Sequence, residues 1–143
     1  MKVKLKSKNK FIPVNVPKIF SEEKTNIRKC LETGWISSEG SFVKEFEKSF
    51  SKYNKRIYGV AVSSGSAALD VALKSLNLKK GSHVIIPTFS IISTALCVIK
   101  LGLKPILVDV NEYTWNMNQD EVIKKITKKT KAIIITHIYG FPV

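Results

Sequence analysis

Val60-Ala-Val-Ser-Ser-Gly-Ser-Ala-Ala-Leu69 is the stretch on which the fold turns. A short run with β-branched residues ends in Ser63-Ser64-Gly65-Ser66, and an Ala/Leu-rich helical pattern begins at once and continues to Leu78. The pattern predicts a strand, a tight turn of small residues and a helix N-terminus. Such a junction presents unpaired backbone N–H groups, hydroxyls and the positive end of a helix dipole. Together these can cradle a phosphate. Two readings stay open at this point: a plain strand-to-helix turn, which any α/β protein contains, and an anion site. The stretch matches neither G-x-x-x-x-G-K-[ST] nor G-x-G-x-x-G, so the common nucleotide loops are excluded.

Downstream the same alternation continues. Ala68, Leu69, Ala72, Leu73 and Leu76 are the expected buried face of the first helix of this series, closed by Lys79-Lys80-Gly81. His83-Val-Ile-Ile-Pro87 predicts a strand, Ser90 to Leu101 a helix stopped by Gly102, and Pro105-Ile-Leu-Val-Asp109 a strand ending on a carboxylate. Asn118-Gln-Asp-Glu121 resembles a capping box before a helix of about ten residues. Ala132 to His137 predicts the last strand. From residue 57 the order is β-α-β-α-β-α-β with near-continuous apolar strands. That is an α/β fold, a mostly parallel sheet with helices on both faces. Ligands of such sheets gather at the carboxyl ends of the strands, here Ser63 to Ser66, Pro87 to Ser90, Asp109 and His137.

Upstream, Ser21 with Glu22 and Glu23 opens a helix with an Ile27, Cys30, Leu31 face, and Gly34 closes it. After the loop Trp35-Ile-Ser-Ser-Glu-Gly40, Ser41 opens a second helix whose Phe42, Phe46, Phe50 and Tyr53 share one stripe, expected to be core. Residues 1–12 read as a basic, flexible tail.

The chain of 143 residues, 44% hydrophobic and 24% charged, is long enough for a packed core. No apolar run is long enough to span a membrane, and the basic N-terminus has no apolar stretch behind it to make a signal peptide. Cys30 and Cys97 fall in helical patterns and read as free, buried thiols in a reducing cytosol, with neither a disulfide nor a metal site expected. The net charge of +13 is almost all lysine, dispersed, and without interleaved aromatics. A nucleic-acid platform needs such aromatics, so no nucleic-acid partner is expected. The chain stops six residues after the last expected strand. An open sheet ending there leaves apolar surface exposed, so the sequence is expected to be the front part of something longer.

Five separated stretches then fall in register: Gly34-Trp-Ile-Ser-Ser-Glu-Gly40, Ser64-Gly-Ser-Ala-Ala-Leu69, Ile86-Pro-Thr-Phe89, Lys104-Pro-Ile-Leu-Val-Asp109 and His137-Ile-Tyr-Gly140. From about Pro13 to the last residue the sequence resembles the DegT/DnrJ/StrS family of pyridoxal-phosphate-dependent sugar aminotransferases. The resemblance implies the N-terminal portion of the large domain of a type I pyridoxal-phosphate transferase over residues 1–143, with the C-terminal remainder absent. It implies that Ser64, Gly65 and Ser66 hold the phosphate of pyridoxal 5'-phosphate. The family places an aromatic residue four positions after the proline of the third motif, against the pyridine ring. Here that position is Ile91, with Phe89 two residues earlier, and either side chain can fill the role. The resemblance also implies a substrate contact from Trp35, Ile36, Ser37 and Ser38, which otherwise read as a packed tryptophan and a polar loop. Asp109, His137 and Tyr139 are either local structural groups or site residues.

The reaction so implied moves an amino group from glutamate to C4 of a nucleotide-linked 4-keto-6-deoxy sugar of the perosamine or viosamine type, in a cytoplasmic homodimer. The Schiff-base lysine and the acid on the pyridine nitrogen are expected after Val143, so no catalytic residue lies in this chain. By itself the chain is expected to be inactive, whether as a truncated aminotransferase or as a natural, non-catalytic binding fragment.

Overall fold

The structure, a computed structural model, describes residues 11, 13 and 15–143. The tail expected over residues 1–12 lies, Phe11 apart, outside the described residues. The chain divides into two units, Met1–Ala61 and Val62–Val143.

In the first unit, α1 (Ser21–Thr33) and α2 (Ser41–Tyr53) both begin at the serine expected, and α2 ends at Asn54. The Phe20 N–H donates to Glu23 Oε2 at 2.8 Å, so Phe20 takes the capping position expected of Ser21. Gly34 ends α1 in the left-handed region, at φ 73°, which a glycine adopts without strain. The expected phenylalanine core is not realised within this unit. Phe42 is half-buried, while Phe46 and Phe50 stack at 5.5 Å with more than half their surface exposed, and Tyr53 is exposed. Ile27 and Leu31 on α1 are exposed too. Two helices supply no third layer to close a stripe that wide.

After α2 the backbone turns back along the helix instead of forming the strand expected over residues 57–62. The Arg56 N–H donates to the Ser51 carbonyl at 2.8 Å, and the Ala61 N–H donates to Glu47 Oε1 at 2.8 Å. These bonds take backbone donors that a sheet would use, and no strand ladder forms there. Gly59 passes so near α2 that an added Cβ would sit 2.7 Å from the Glu47 carbonyl oxygen.

The second unit runs α3 (Gly65–Ser75), β1 (His83–Pro87), α4 (Ser93–Lys100), β2 (Lys104–Val108), α5 (Gln119–Lys125) and β3 (Thr130–Ile133). The sheet has three strands in the order β2-β1-β3, all parallel. In β1, Val84 and Ile86 point to one face, with Leu73 of α3 and Cys97 and Val98 of α4. Ile85 points to the other, with Val108, Met117 and Val122 of α5. A central parallel strand covered on both sides needs this uninterrupted apolar run, which is why β1 reads without alternation.

Several bounds differ from expectation. Helix α4 starts three residues later than Ser90, and β3 ends at Ile133, although the Ile134 N–H still donates to the Ile85 carbonyl at 2.9 Å. Helix α5 has seven residues rather than ten. Asn118 Oδ1 accepts from the Asp120 and Glu121 N–H groups, but the Glu121 carboxylate bonds Lys124 at 2.9 Å, so the capping box is only half formed. Of the face expected on α3, only Leu73 is buried and Leu69 partly so; Ala68, Ala72 and Leu76 are exposed, because α3 packs on α4 rather than squarely on the sheet. No helix among the described residues is long and apolar enough to cross a membrane.

From β1 the chain leaves to one face through α4, and from β2 it leaves to the opposite face through α5. Neighbouring parallel strands whose connections part in this way open a crevice at their carboxyl ends, where such folds bind ligands.

Candidate functional site

At that edge stands the N-terminus of α3. Ser64 is its N-cap, with Oγ accepting the Ala67 N–H at 3.2 Å, and its carbonyl takes the Ala68 N–H at 3.0 Å as the first intrahelical bond. The Gly65 and Ser66 N–H groups precede that bond and face outward, as the first donors of a helix do. Gly65 has no neighbour within 4 Å of the place a Cβ would occupy, and its φ is not in the left-handed region. Neither packing nor backbone therefore demands a glycine; what its bareness leaves is open access to the helix donors. The first turns of α1 and α5 carry their own carboxylates, Glu22 and Glu23, and Asp120 and Glu121. The first turn of α3 carries none, so its positive end is not neutralised from within.

The hydroxyls around this terminus are linked. Ser66 Oγ lies 2.7 Å from Ser93 Oγ in the first turn of α4. Ser90 Oγ lies 2.9 Å from Thr94 Oγ1 and 3.1 Å from Thr136 Oγ1, joining α4 to the segment after β3. A Lys100–Asp70 ion pair at 3.0 Å also ties α4 to α3. Ser93, Thr94 and Thr136 were not singled out from sequence. The pattern Ser90, Ser93, Thr94, which puts three hydroxyls on one turn, was the available signal.

Beside the crevice lies an aromatic cleft of about 580 Å³ lined by Phe89, Tyr113, Trp115, Ile138, Tyr139 and Phe141, among others. Phe89 meets Trp115 edge to face, with centroids 5.1 Å apart. Trp115 and Tyr139 both hold positive φ, 60° and 49°, a conformation costly for aromatic residues. The buried Asn116 sustains it. Its Nδ2 donates to the Phe141 and Pro142 carbonyls, each at 3.0 Å, and its Oδ1 accepts the Ile138 N–H at 3.1 Å. Asn116 is another residue that sequence reasoning passed over; a lone Asn between Trp115 and Met117 gives no periodic cue.

Of the residues singled out from sequence, Ser64, Gly65 and Ser66 come together as an exposed turn, and Ser66 is brought against the loop that carries Phe89 and Ile91 through Ser93. Phe89 is the less exposed of the two ring candidates and lines the cleft, whereas Ile91 is 71% exposed. Asp109 is engaged locally: Oδ1 accepts the Val110 N–H at 2.8 Å and the Thr88 hydroxyl at 3.4 Å. His137 Nδ1 accepts the Val143 N–H at 3.0 Å, a bracing role, while the Tyr139 ring is exposed. Trp35, Ile36 and Ser37 lie in the first unit and line a shallow hollow of about 320 Å³ with Cys30 and Phe42; Ser38 is exposed. No lysine lines the cleft or bonds the α3 turn among the described residues.

A helix terminus with open donors and an aromatic cleft, at the carboxyl edge of a parallel sheet, together have the chemistry to receive a phosphorylated aromatic group. Residues 17–143 match the DegT/DnrJ/EryC1/StrS aminotransferase family. The chain belongs to that family. It is 40% identical over 133 residues to the GDP-perosamine synthase of Escherichia coli O157:H7, covering 93% of this chain and 36% of that protein. To the GDP-perosamine synthase of Vibrio cholerae it is 33% identical over 129 residues, covering 90% and 35%. Among solved structures, the putative sugar aminotransferase Spr1654 from Streptococcus pneumoniae in its PLP-form superposes with a TM-score of 0.84 at 32% identity, covering 92% of this chain and 33% of that one. The E. coli GDP-4-keto-6-deoxy-D-mannose-3-dehydratase with bound hydrated PLP gives 0.79 at 29% identity, covering 86% and 33%. The chain thus spans about a third of the length of the proteins it matches.

Proposed function

We propose that residues 1–143 are the N-terminal portion of the large domain of a sugar-nucleotide aminotransferase. The reaction is transfer of an amino group from glutamate to C4 of a nucleotide-linked 4-keto-6-deoxy sugar, of the perosamine or viosamine type. The observation that carries the cofactor half of this reading is the α3 N-terminus. Its donors are open above Gly65, and its first turn has no carboxylate of its own. The names of the relatives favour a GDP-linked sugar.

When bound, pyridoxal phosphate supplies an electron sink for amino transfer. The part played by this chain is binding and orientation. The Gly65 and Ser66 N–H groups and the Ser66 hydroxyl hold the phosphate ester. Phe89 or Ile91 offers the apolar surface against the ring. The Trp35 to Ser38 loop contacts the sugar nucleotide. Homodimer formation would cover the exposed apolar residues of α1 and α2.

The binding half is tested on the purified chain with pyridoxamine 5'-phosphate, whose amine cannot condense with the 22 lysines. Preference for this compound over pyridoxamine supports the cradle, and equal affinities sink it. The catalytic half is tested on the product of the reading frame containing this segment, with glutamate and GDP- or UDP-linked 4-keto-6-deoxy sugars. The expected result is glutamate-dependent formation of the 4-amino sugar. Transamination by the 143-residue chain alone would overturn the assignment of the reactive lysine to positions beyond it.

A further inference from the structure

Ser93 heads α4, and its hydroxyl has one partner among the described residues, Ser66 Oγ at 2.7 Å. Although the Ser21 hydroxyl meets the Glu22 carboxylate and Thr94 the Ser90 hydroxyl, four helix hydroxyls elsewhere turn back to a carbonyl three or four residues earlier: Thr25 to Ser21, Thr33 to Lys29, Ser51 to Lys48, Ser75 to Ala72. Ser66 and Ser93 do not. Each stands in the first turn of its helix and bonds across to the other.

We propose that Ser93 is a positioning residue for the phosphate cradle, fixing the Ser66 hydroxyl so that one hydrogen of the pair points out over Gly65 towards an anion. This inference rests on the reading of Ser64-Gly65-Ser66 as that cradle. Two hydroxyls hold two hydrogens, and their mutual bond uses one. With Ser93 as the donor, the hydrogen that remains is that of Ser66, and it is spent on no other group among the described residues. An acceptor at the mouth of α3 completes the chain, and a donor that itself accepts a hydrogen bond is strengthened by polarisation. The position is suited to this. Neither α3 nor α4 has a carboxylate in its first turn to take the free hydrogen. The Lys100–Asp70 pair holds the two helices together further along, so the approach of Ser93 to Ser66 does not depend on the hydroxyl bond alone.

The test is a titration of the full chain and its variants with pyridoxamine 5'-phosphate and, in parallel, pyridoxamine, read by ligand fluorescence and by the phosphorus chemical shift. Ser93→Ala is expected to weaken binding of the phosphate ester by about three- to tenfold, the worth of one hydrogen bond. It leaves pyridoxamine binding unchanged. Ser93→Thr restores the ester affinity. Ser66→Ala loses a similar factor, and the double variant loses little more than either single one, since the pair acts as a unit. If Ser66→Ala weakens ester binding and Ser93→Ala does not, the cradle stands and the role of Ser93 falls. Should the wild-type chain fail to prefer the ester over pyridoxamine, the cradle falls and Ser93 with it. Equal losses for both ligands, or loss of helical circular dichroism in Ser93→Ala, would make Ser93 a packing residue and overturn the proposal.

Discussion

Cys97 and Cys30 show how position in the fold sets the chemistry of one residue type. Cys97 is buried in the α4 face against β1, its Sγ bonded to the Thr94 carbonyl at 3.3 Å. Burial, and after it the nearby Asp70 carboxylate, pushes its thiol above the ordinary range. Cys30 is only half-buried. The thiolate is the reactive species, so Cys30 is expected to take iodoacetamide at neutral pH while Cys97 stays unmodified until denaturant is added. Mass spectrometry of the labelled peptides checks this, and equal labelling of both in the native state would refute the packing described for α4. The sequence placed both cysteines in helices and made both free and buried. Only the packing separates them, because helical periodicity names a face but not what covers it.

Among the elements, the return of residues 54–61 along α2 is where local pattern misled. Val60-Ala-Val62 has the β propensity of a strand, yet propensity is realised only when a neighbouring strand offers hydrogen bonds. Here the Glu47 side chain and the Ser51 carbonyl take the donors. Gly59 is the element's fixed point, since a Cβ there would sit 2.7 Å from the Glu47 carbonyl. Gly59→Ala is expected to cost about 1–3 kcal/mol, the usual price of an overpacked contact that backbone must yield to. Urea unfolding of the variant measures it. A midpoint unchanged from wild type would show that the segment lifts off α2 freely. At α3 the sequence was a better guide: a helix opens at the Ser63 to Ser66 turn as the residue types suggest, with Ser64 as its cap, because a helix start is a local matter of one side chain and a few N–H groups.

For the whole molecule, the contrast is between the sheet and the helical unit before it. Ile86 is 1% exposed between β1 and α4, whereas Phe46 is 56% exposed on α2. Ile86→Ala is expected to cost about 2–5 kcal/mol as a cavity in a closed core. Phe46→Ala, despite removing a larger side chain, is expected to cost under about 1 kcal/mol, as substitutions at exposed positions do. Denaturant titration of both variants gives the comparison, and the reverse order would restore the phenylalanine stripe to the core. The exposed stripe on α2 is apolar enough to have read as interior.

What the sequence determined by itself is the α/β class, the mostly parallel sheet and the small-residue turn, Ser63 to Ser66, that opens a helix. Each follows from short-range rules: period along the chain, residue type at a helix start, unbroken apolar runs in central strands. The tertiary structure decided the strand order, which Phe and Leu faces are covered, the aromatic cleft held by Asn116, and the meeting of Ser66 with Ser93. Those depend on elements far apart in sequence arriving at one edge of a sheet, and no local pattern encodes such an arrival.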